Sequence, residues 1–194
     1  ALCEVTGADV REVSKAIGAD KRIGTRFLNS GPGFGGSCFK KDILNLVYLC
    51  RHFGLPEVAD YWQNVVTLNE WQQDRIARLV VKKLFGTVTG KKIGLLGFSF
   101  KANTNDTRES PSIRIAQDLL EEGAQIAIYD PKVDVNQIAK DLKQVASSKL
   151  DFIGSKNKQL SGEGIWCYSN TIEDVASGSD AIIILTEWEE FKYI

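Results

Sequence analysis

From Lys91 onward, short apolar runs alternate with helical segments, and this alternation constrains the fold more than any other feature of the chain. Residues 92–97, Lys-Ile-Gly-Leu-Leu-Gly, make a strand-sized apolar run. Ser110-Pro111 opens a helix, Ser at the cap and Pro at the first helical position, which continues over 113–122 to Gly123. Residues 125–129 read as a second strand, stopped by Asp130-Pro131, and a helix is predicted around 135–145. A short strand at 166–168, a short helix at 172–176 and a clear strand at 181–185 follow, and residues 147–164 are polar and irregular. Strands alternating with helices predict a parallel sheet of the doubly wound kind.

The first 90 residues have a different texture. Val10, Val13 and Ile17 repeat at helical spacing over 8–17, and a Gly- and Ser-rich loop spans 22–37. Residues 38–53 place Ile43, Leu46, Val47, Cys50 and Phe53 on one helical face. A further helix is predicted from Pro56 to about Phe85, ~45 Å long at ~1.5 Å per residue. Its apolar positions, including Tyr61, Trp62, Val65 and Leu68, suit a linker between domains or a seam between two copies; the alternative is two core helices broken near Asn69. The expected fold class is therefore α/β: a helical central or dimerisation region over residues 1–88, then a Rossmann-like parallel-sheet domain over 89–194 that is C-terminally incomplete.

Composition removes several function classes. Of 194 residues, 43% are apolar and 25% charged, the profile of a globular domain. A net charge of -1 offers no basic field for nucleic acid or an anionic membrane. No apolar run approaches the roughly 20 residues of a membrane span. One histidine, His52, leaves little for a His-based metal site or triad, so no metal is expected. Cys3, Cys38, Cys50 and Cys167 show no CxxC spacing, which favours free thiols in a reducing, cytoplasmic setting. The chain starts without Met and ends just after an apolar strand, and is expected to be a fragment of a longer protein.

The densest chemical signal runs from Gly31 to Asp42, where Gly31, Pro32, Gly33, Gly35 and Gly36 lead into a helix. Cys38 falls at the helix start, with Ser37 as the expected cap. Free amides, the positive end of the helix dipole and the neighbouring Lys40 and Lys41 favour thiolate over thiol there. Asp42, four residues on, shares a helix face with Cys38. A nucleophilic thiolate beside a carboxylate that can activate water is an arrangement for covalent catalysis. Cys50 reads as core and His52 as structural.

A second signal spans Gly97 to Pro111 and joins the first strand of the sheet to its first helix. This turn is long and lacks the G-x-G-x-x-G of dinucleotide sites, yet such strand ends face the ligand crevice. Lys101 and Arg108 could hold a nucleotide or a phosphorylated sugar. A solvated polar loop is the alternative; it accounts for the charges but not for Phe98 and Phe100. A third cluster, Lys21, Arg22 and Arg26, reads by itself as solvated surface.

GFGGSCFKKD, GFSFKANTNDTRESPS, IYDPKV and ILTEWEEF, in this order, resemble the UDP-glucose/GDP-mannose dehydrogenase family over essentially the whole chain. The resemblance implies oxidation of a sugar-nucleotide C6 hydroxyl to a carboxylate in two steps with two NAD, the second through a thiohemiacetal and thioester on Cys38. It implies water activation by Asp42 and a place beside the reacting centre for Lys41. Arg22, Asn29, Ser30, Gly31, Pro32, Gly33, Phe34, Gly35, Phe100 and Lys101 match substrate-binding positions, Arg22 reaching the substrate of a neighbouring subunit. Cys38, Phe39, Lys40, Lys41 and Arg108 match positions on the NAD side, although the main NAD-binding domain of the family lies upstream of this sequence. UDP-glucose is the implied substrate and a homo-oligomer, from a dimer up to a hexamer, the implied assembly. The segment alone is expected to be inactive. Two alternatives stay open: a non-catalytic sugar-nucleotide-binding and dimerisation module, and a related dehydrogenase acting on another hexose.

Overall fold

The structure, a computed structural model, describes residues 1–148 and 164–194. The predicted irregular stretch 147–164 therefore lies mostly outside the described residues. The chain divides into two compact units, Ala1–Gly31 and Pro32–Ile194.

In the first unit, α1 (Leu2–Thr6) ends on Gly7 in the left-handed conformation, and α2 spans Val10–Gly18. The Asp9 carboxylate caps α2 by accepting from the Arg11 amide, so this helix starts two residues later than the sequence suggested. Ser14 Oγ donates to the Leu28 carbonyl at 2.7 Å and holds the following loop to the helix.

In the second unit, α3 (Phe39–His52) packs on α4 (Pro56–Lys83). Ile43, Val47 and Cys50 meet Ala59 and Val66 in a small core, with Trp62 and Val65 packed at its edge. Of the four apolar positions read as a linker or a seam, Tyr61 and Leu68 are exposed, and Trp62 and Val65 are partly buried against this core. The 28 residues of α4 run without the break considered near Asn69. Asn69 and Gln73 are instead buried, and further along Ala77 enters the core beneath the sheet.

The sheet comprises β1 (Lys92–Leu96), β2 (Gln125–Tyr129), β3 (Ile165–Tyr168) and β4 (Ala181–Ile184), all parallel, in the order β3-β2-β1-β4. Period-two alternation sorts its side chains. Ile93, Leu95, Ile126 and Ile128 face α5 (Pro111–Glu121), α6 (Val135–Leu142) and the end of α4. Leu96 and Ala127 face α7 (Ile172–Ala176) and the 3-10 turn Glu189–Tyr193. Helices on both faces make this the expected doubly wound α/β architecture. Ser110 caps α5 as predicted, accepting from the Ser112 amide, whereas α6 stops at Leu142 because Lys143 turns left-handed at φ 56.

The first two crossovers carry the chain from β1 to β2 to β3, and the third returns it to the far side of β1, where β4 pairs. This reversal makes the gap between β1 and β4 a topological switch point, and ligands of such folds bind outside the strand carboxyl ends there. The loop after β1 and the chain after β4 meet at that end: Thr186 Oγ1 donates to the Ser99 carbonyl at 2.7 Å.

Candidate active site

Cys38 lies at the junction of the glycine loop and α3. It takes the cap position itself, at φ -107 and ψ -50, with no side-chain hydrogen bond to the helix. This corrects the assignment of the cap to Ser37, whose hydroxyl lies 3.5 Å from the Cys38 sulfur. The thiol is exposed, at the N-terminal end of α3, where the first helical amides have no intrahelical partner. The Asp42 amide donates to the Cys38 carbonyl at 2.8 Å, while the exposed Asp42 carboxylate lies 4.0 Å from Lys41 Nζ.

Backbone contacts knit the glycine loop to the loop after β1. Gly36 N–H donates to the Arg108 carbonyl at 2.8 Å. A Cβ on Gly35 would overlap the Glu109 carbonyl and lie 3.0 Å from Phe100 Cβ, so only glycine lets the two loops approach this closely. Lys40 Nζ adds an ionic tie, 3.1 Å from Glu109 and 3.4 Å from Glu70 of α4. Partial burial pushes the Lys40 ammonium down, but the Glu109 and Glu70 carboxylates outweigh it and leave the group above its ordinary value. Glu109 is held at φ 54, a left-handed conformation uncommon for a side chain of this kind.

The second loop is organised around Asp130, which is 1% exposed. Its Oδ2 accepts from the amides of Phe98 (2.7 Å) and Ser99 (3.0 Å), the Ser99 hydroxyl (3.2 Å) and the Trp188 indole (3.2 Å). Its Oδ1 accepts from the amides of Lys132 and Val133. A buried carboxylate with six donors is fully satisfied and fixes the backbone from which the next residues project. Beyond it, the exposed Lys101 ammonium lies 5.3 Å from the Phe100 ring centroid. Arg108 forks onto the Asp106 carboxylate, with a shortest distance of 2.6 Å. The hydrogen bonds to Asp106 hold Arg108 above its ordinary value.

The structure thus brings Pro32, Gly33, Phe34, Gly35, Cys38, Phe39, Lys40, Lys41, Asp42, Phe100, Lys101 and Arg108 into one unit. Arg22, Asn29, Ser30 and Gly31 belong to the other, where Arg22 forks onto Asp20 at 2.6 Å. Asn69, Glu109 and Asp130 were not recognised from sequence as parts of this site. Asp130 had a usable signal, an acidic residue at the carboxyl end of a predicted strand; Asn69 had none. Among the described residues no cluster of His, Cys, Asp and Glu could hold a metal ion, and no helix is long and apolar enough to cross a membrane.

The chain matches the family model of the UDP-glucose/GDP-mannose dehydrogenase central domain over residues 1–71 and that of the UDP-binding domain over residues 94–194. It is 50% identical over 192 residues to UDP-glucose 6-dehydrogenase of Bos taurus, covering 99% of this chain and 37% of the relative. It is 49% identical over 195 residues to UDP-glucose 6-dehydrogenase 4 of Oryza sativa subsp. japonica, covering 99% of this chain and 40% of the relative. The chain therefore spans about two fifths of the length of these relatives. A UDP-glucose dehydrogenase from the archaeon Pyrobaculum islandicum superposes with a TM-score of 0.77 at 30% identity, over 96% of this chain and 38% of that one. A GDP-mannose dehydrogenase from Pseudomonas aeruginosa superposes with a TM-score of 0.62 at 26% identity, over 97% of this chain and 40% of that one.

Proposed function

The chain belongs to the UDP-glucose/GDP-mannose dehydrogenase family, and from that premise we propose that it is the central and UDP-binding part of an NAD-dependent UDP-glucose 6-dehydrogenase that forms UDP-glucuronate. Residues 1–88 are its central helical region and 89–194 its UDP-binding domain. The observation that carries this reading is the exposed Cys38 at the start of α3, on a loop hydrogen-bonded to the one that presents Lys101. The identity of about 50% to UDP-glucose enzymes favours glucose as the sugar.

The roles follow from the chemistry of each group. Lys101 and the loop from Pro32 to Gly35 bind the UDP-sugar, the ammonium meeting its negative charge and Phe100 packing beside it. Cys38 attacks the C6 aldehyde of the first oxidation, forming a carbon–sulfur bond, and the resulting alkoxide takes up a proton as a thiohemiacetal. The second oxidation leaves C6 as a thioester on Cys38. Asp42 accepts one proton from the attacking water; the carbon–sulfur bond breaks, restoring the thiolate, and the acid gives its remaining proton to solvent and leaves as the carboxylate. Lys41 lies beside Asp42 and Cys38, where its charge stabilises the anionic forms.

The exposed side chains of Phe39, Lys41 and Arg108 on the two joined loops are chemically suited to a dinucleotide, a ring to stack and cations to meet a pyrophosphate. NAD supplies the hydride acceptor for both oxidations. The assembly is a cytoplasmic homo-oligomer whose seam uses exposed residues of α4 such as Tyr61, Leu68 and Trp71.

The test is stoichiometric. The full-length enzyme, given UDP-glucose and NAD, should release two NADH for each UDP-glucuronate. Release of one NADH with accumulation of the aldehyde, or none with any UDP-hexose, contradicts the reading.

A further inference from the structure

We propose that Asn69 is a positioning residue for the glycine loop: its carboxamide clamps Phe34 and so sets where the loop lies for the nucleotide sugar. This rests on the function proposed above. Asn69 sits within α4 and is 9% exposed. A buried amide is costly unless both its halves are paired. Here one residue pairs both: Phe34 N–H donates to Asn69 Oδ1 at 2.8 Å, and Asn69 Nδ2 donates to the Phe34 carbonyl at 3.1 Å. Side chain and backbone close a ring that fixes the loop in height and orientation.

The neighbours point the same way. Gly33 adopts φ 133, and a Cβ there would lie 2.8 Å from Asn69 Oδ1 and 3.2 Å from Gln73 Cγ, so the loop rests directly on α4. The Phe34 ring packs on the α3–α4 core and edge-on to Phe39, with ring centroids 4.6 Å apart. Two turns beyond Asn69, about 12 Å along the helix, Ala77 is buried in the core under the sheet. One uninterrupted helix thus carries both the anchor of the glycine loop and an anchor of the domain that presents Lys101. Asn69 acts through Phe34 and Gly33.

The experiment compares Asn69→Ala and Asn69→Asp with the unmodified full-length enzyme, measuring UDP-glucose binding by calorimetry and amide exchange at Phe34. Asn69→Ala removes both bonds; affinity should fall at least about tenfold, and Phe34 should exchange at least about tenfold faster while Ile126 and Ala127 in the sheet keep their rates. Asn69→Asp makes the clamp pH-dependent. Its neutral carboxyl can donate to the Phe34 carbonyl and accept from the amide, but its ionised form can only accept, and burial against a carbonyl keeps it protonated to higher pH. Affinity relative to the unmodified enzyme should be within about twofold at pH 5 and about tenfold lower at pH 8. Unchanged Phe34 exchange, unchanged affinity in both variants, or an equal loss for Asn69→Asp at both pH values overturns the proposal. If the unmodified enzyme fails to bind UDP-glucose, the proposed function falls, and Phe34 exchange still decides the clamp.

Discussion

The Gly36 amide donates to the Arg108 carbonyl at 2.8 Å, so the loop that presents Cys38 and the loop that presents Lys101 form one hydrogen-bonded unit. The thiol and the ammonium come from segments more than 60 residues apart in sequence. Their spacing is set by backbone contact, and disturbing either loop should be felt in the other.

Gly35→Ala tests that coupling. The added Cβ would overlap the Glu109 carbonyl, a backbone group that cannot rotate away. The loops should part, lowering stability by about 1–3 kcal/mol and weakening UDP-glucose binding. Denaturant unfolding together with calorimetry measures both, and wild-type values in both would show that the contact is dispensable.

Asp130 should be the most sensitive polar position in the sheet unit. Replacing it with Ala strands the amides of Phe98, Ser99 and Val133 and the Trp188 indole in a buried site. The expected cost is about 3–5 kcal/mol, as for removing one side of a buried charge-assisted network. Urea unfolding of Asp130→Ala and Asp130→Asn should show a large loss in the first and a smaller one in the second.

Much of this architecture was readable from sequence, because strand-sized apolar runs and cap residues are local signals. Residues 92–96, 125–129 and the Ser110-Pro111 start appear where periodicity and capping put them. What was hidden depends on partners distant in sequence. Asn69 reads as a polar or helix-breaking position until Phe34, 35 residues earlier, arrives to pair with it. Trp62 and Val65 read as part of a linker or a seam, and their packing against the α3–α4 core shows only in the fold. Asp130 reads as a stop signal until Phe98, Ser99 and Trp188 converge on it. The cap at Cys38 in place of Ser37 is a one-residue shift, within the usual fraying of helix ends.

Stability should fall on the alkaline side. Burial, and then the Glu190 carboxylate, push Tyr129 up to about 12. A phenol whose folded value lies above its unfolded one contributes stability that is fully present below pH ~10 and is lost as pH rises through about 12. Lys40, raised in the fold by Glu109 and Glu70, acts in the same direction; its partly exposed pairs are worth at most about 1 kcal/mol. Melting temperatures measured from pH 9 to 12.5 should drop less in Tyr129→Phe than in the unmodified protein, and parallel curves would contradict this.

Thiol accessibility separates the cysteines. Cys38 is exposed, whereas Cys50 and Cys167 are buried at 7% and 3% exposure. Alkylation at neutral pH with peptide mapping should label Cys38 well before the other two. Faster labelling of Cys50 in the folded protein would contradict the fold around α3.

The central claim is that Cys38 carries the sugar C6 as a covalent adduct. In the full-length enzyme, Cys38→Ser keeps the side-chain shape but leaves a hydroxyl that is hardly ionised near neutral pH. Lys101→Ala removes a cation from an anionic ligand and should mainly weaken binding. The decisive measurement is steady-state NADH production by Cys38→Ser, paired with calorimetric UDP-glucose binding. The account predicts near-normal binding with overall turnover to UDP-glucuronate lowered by at least about a thousandfold, a change of roughly 4 kcal/mol in the barrier; near-normal turnover to the acid would contradict it and leave the glycine loop as a cradle for substrate alone.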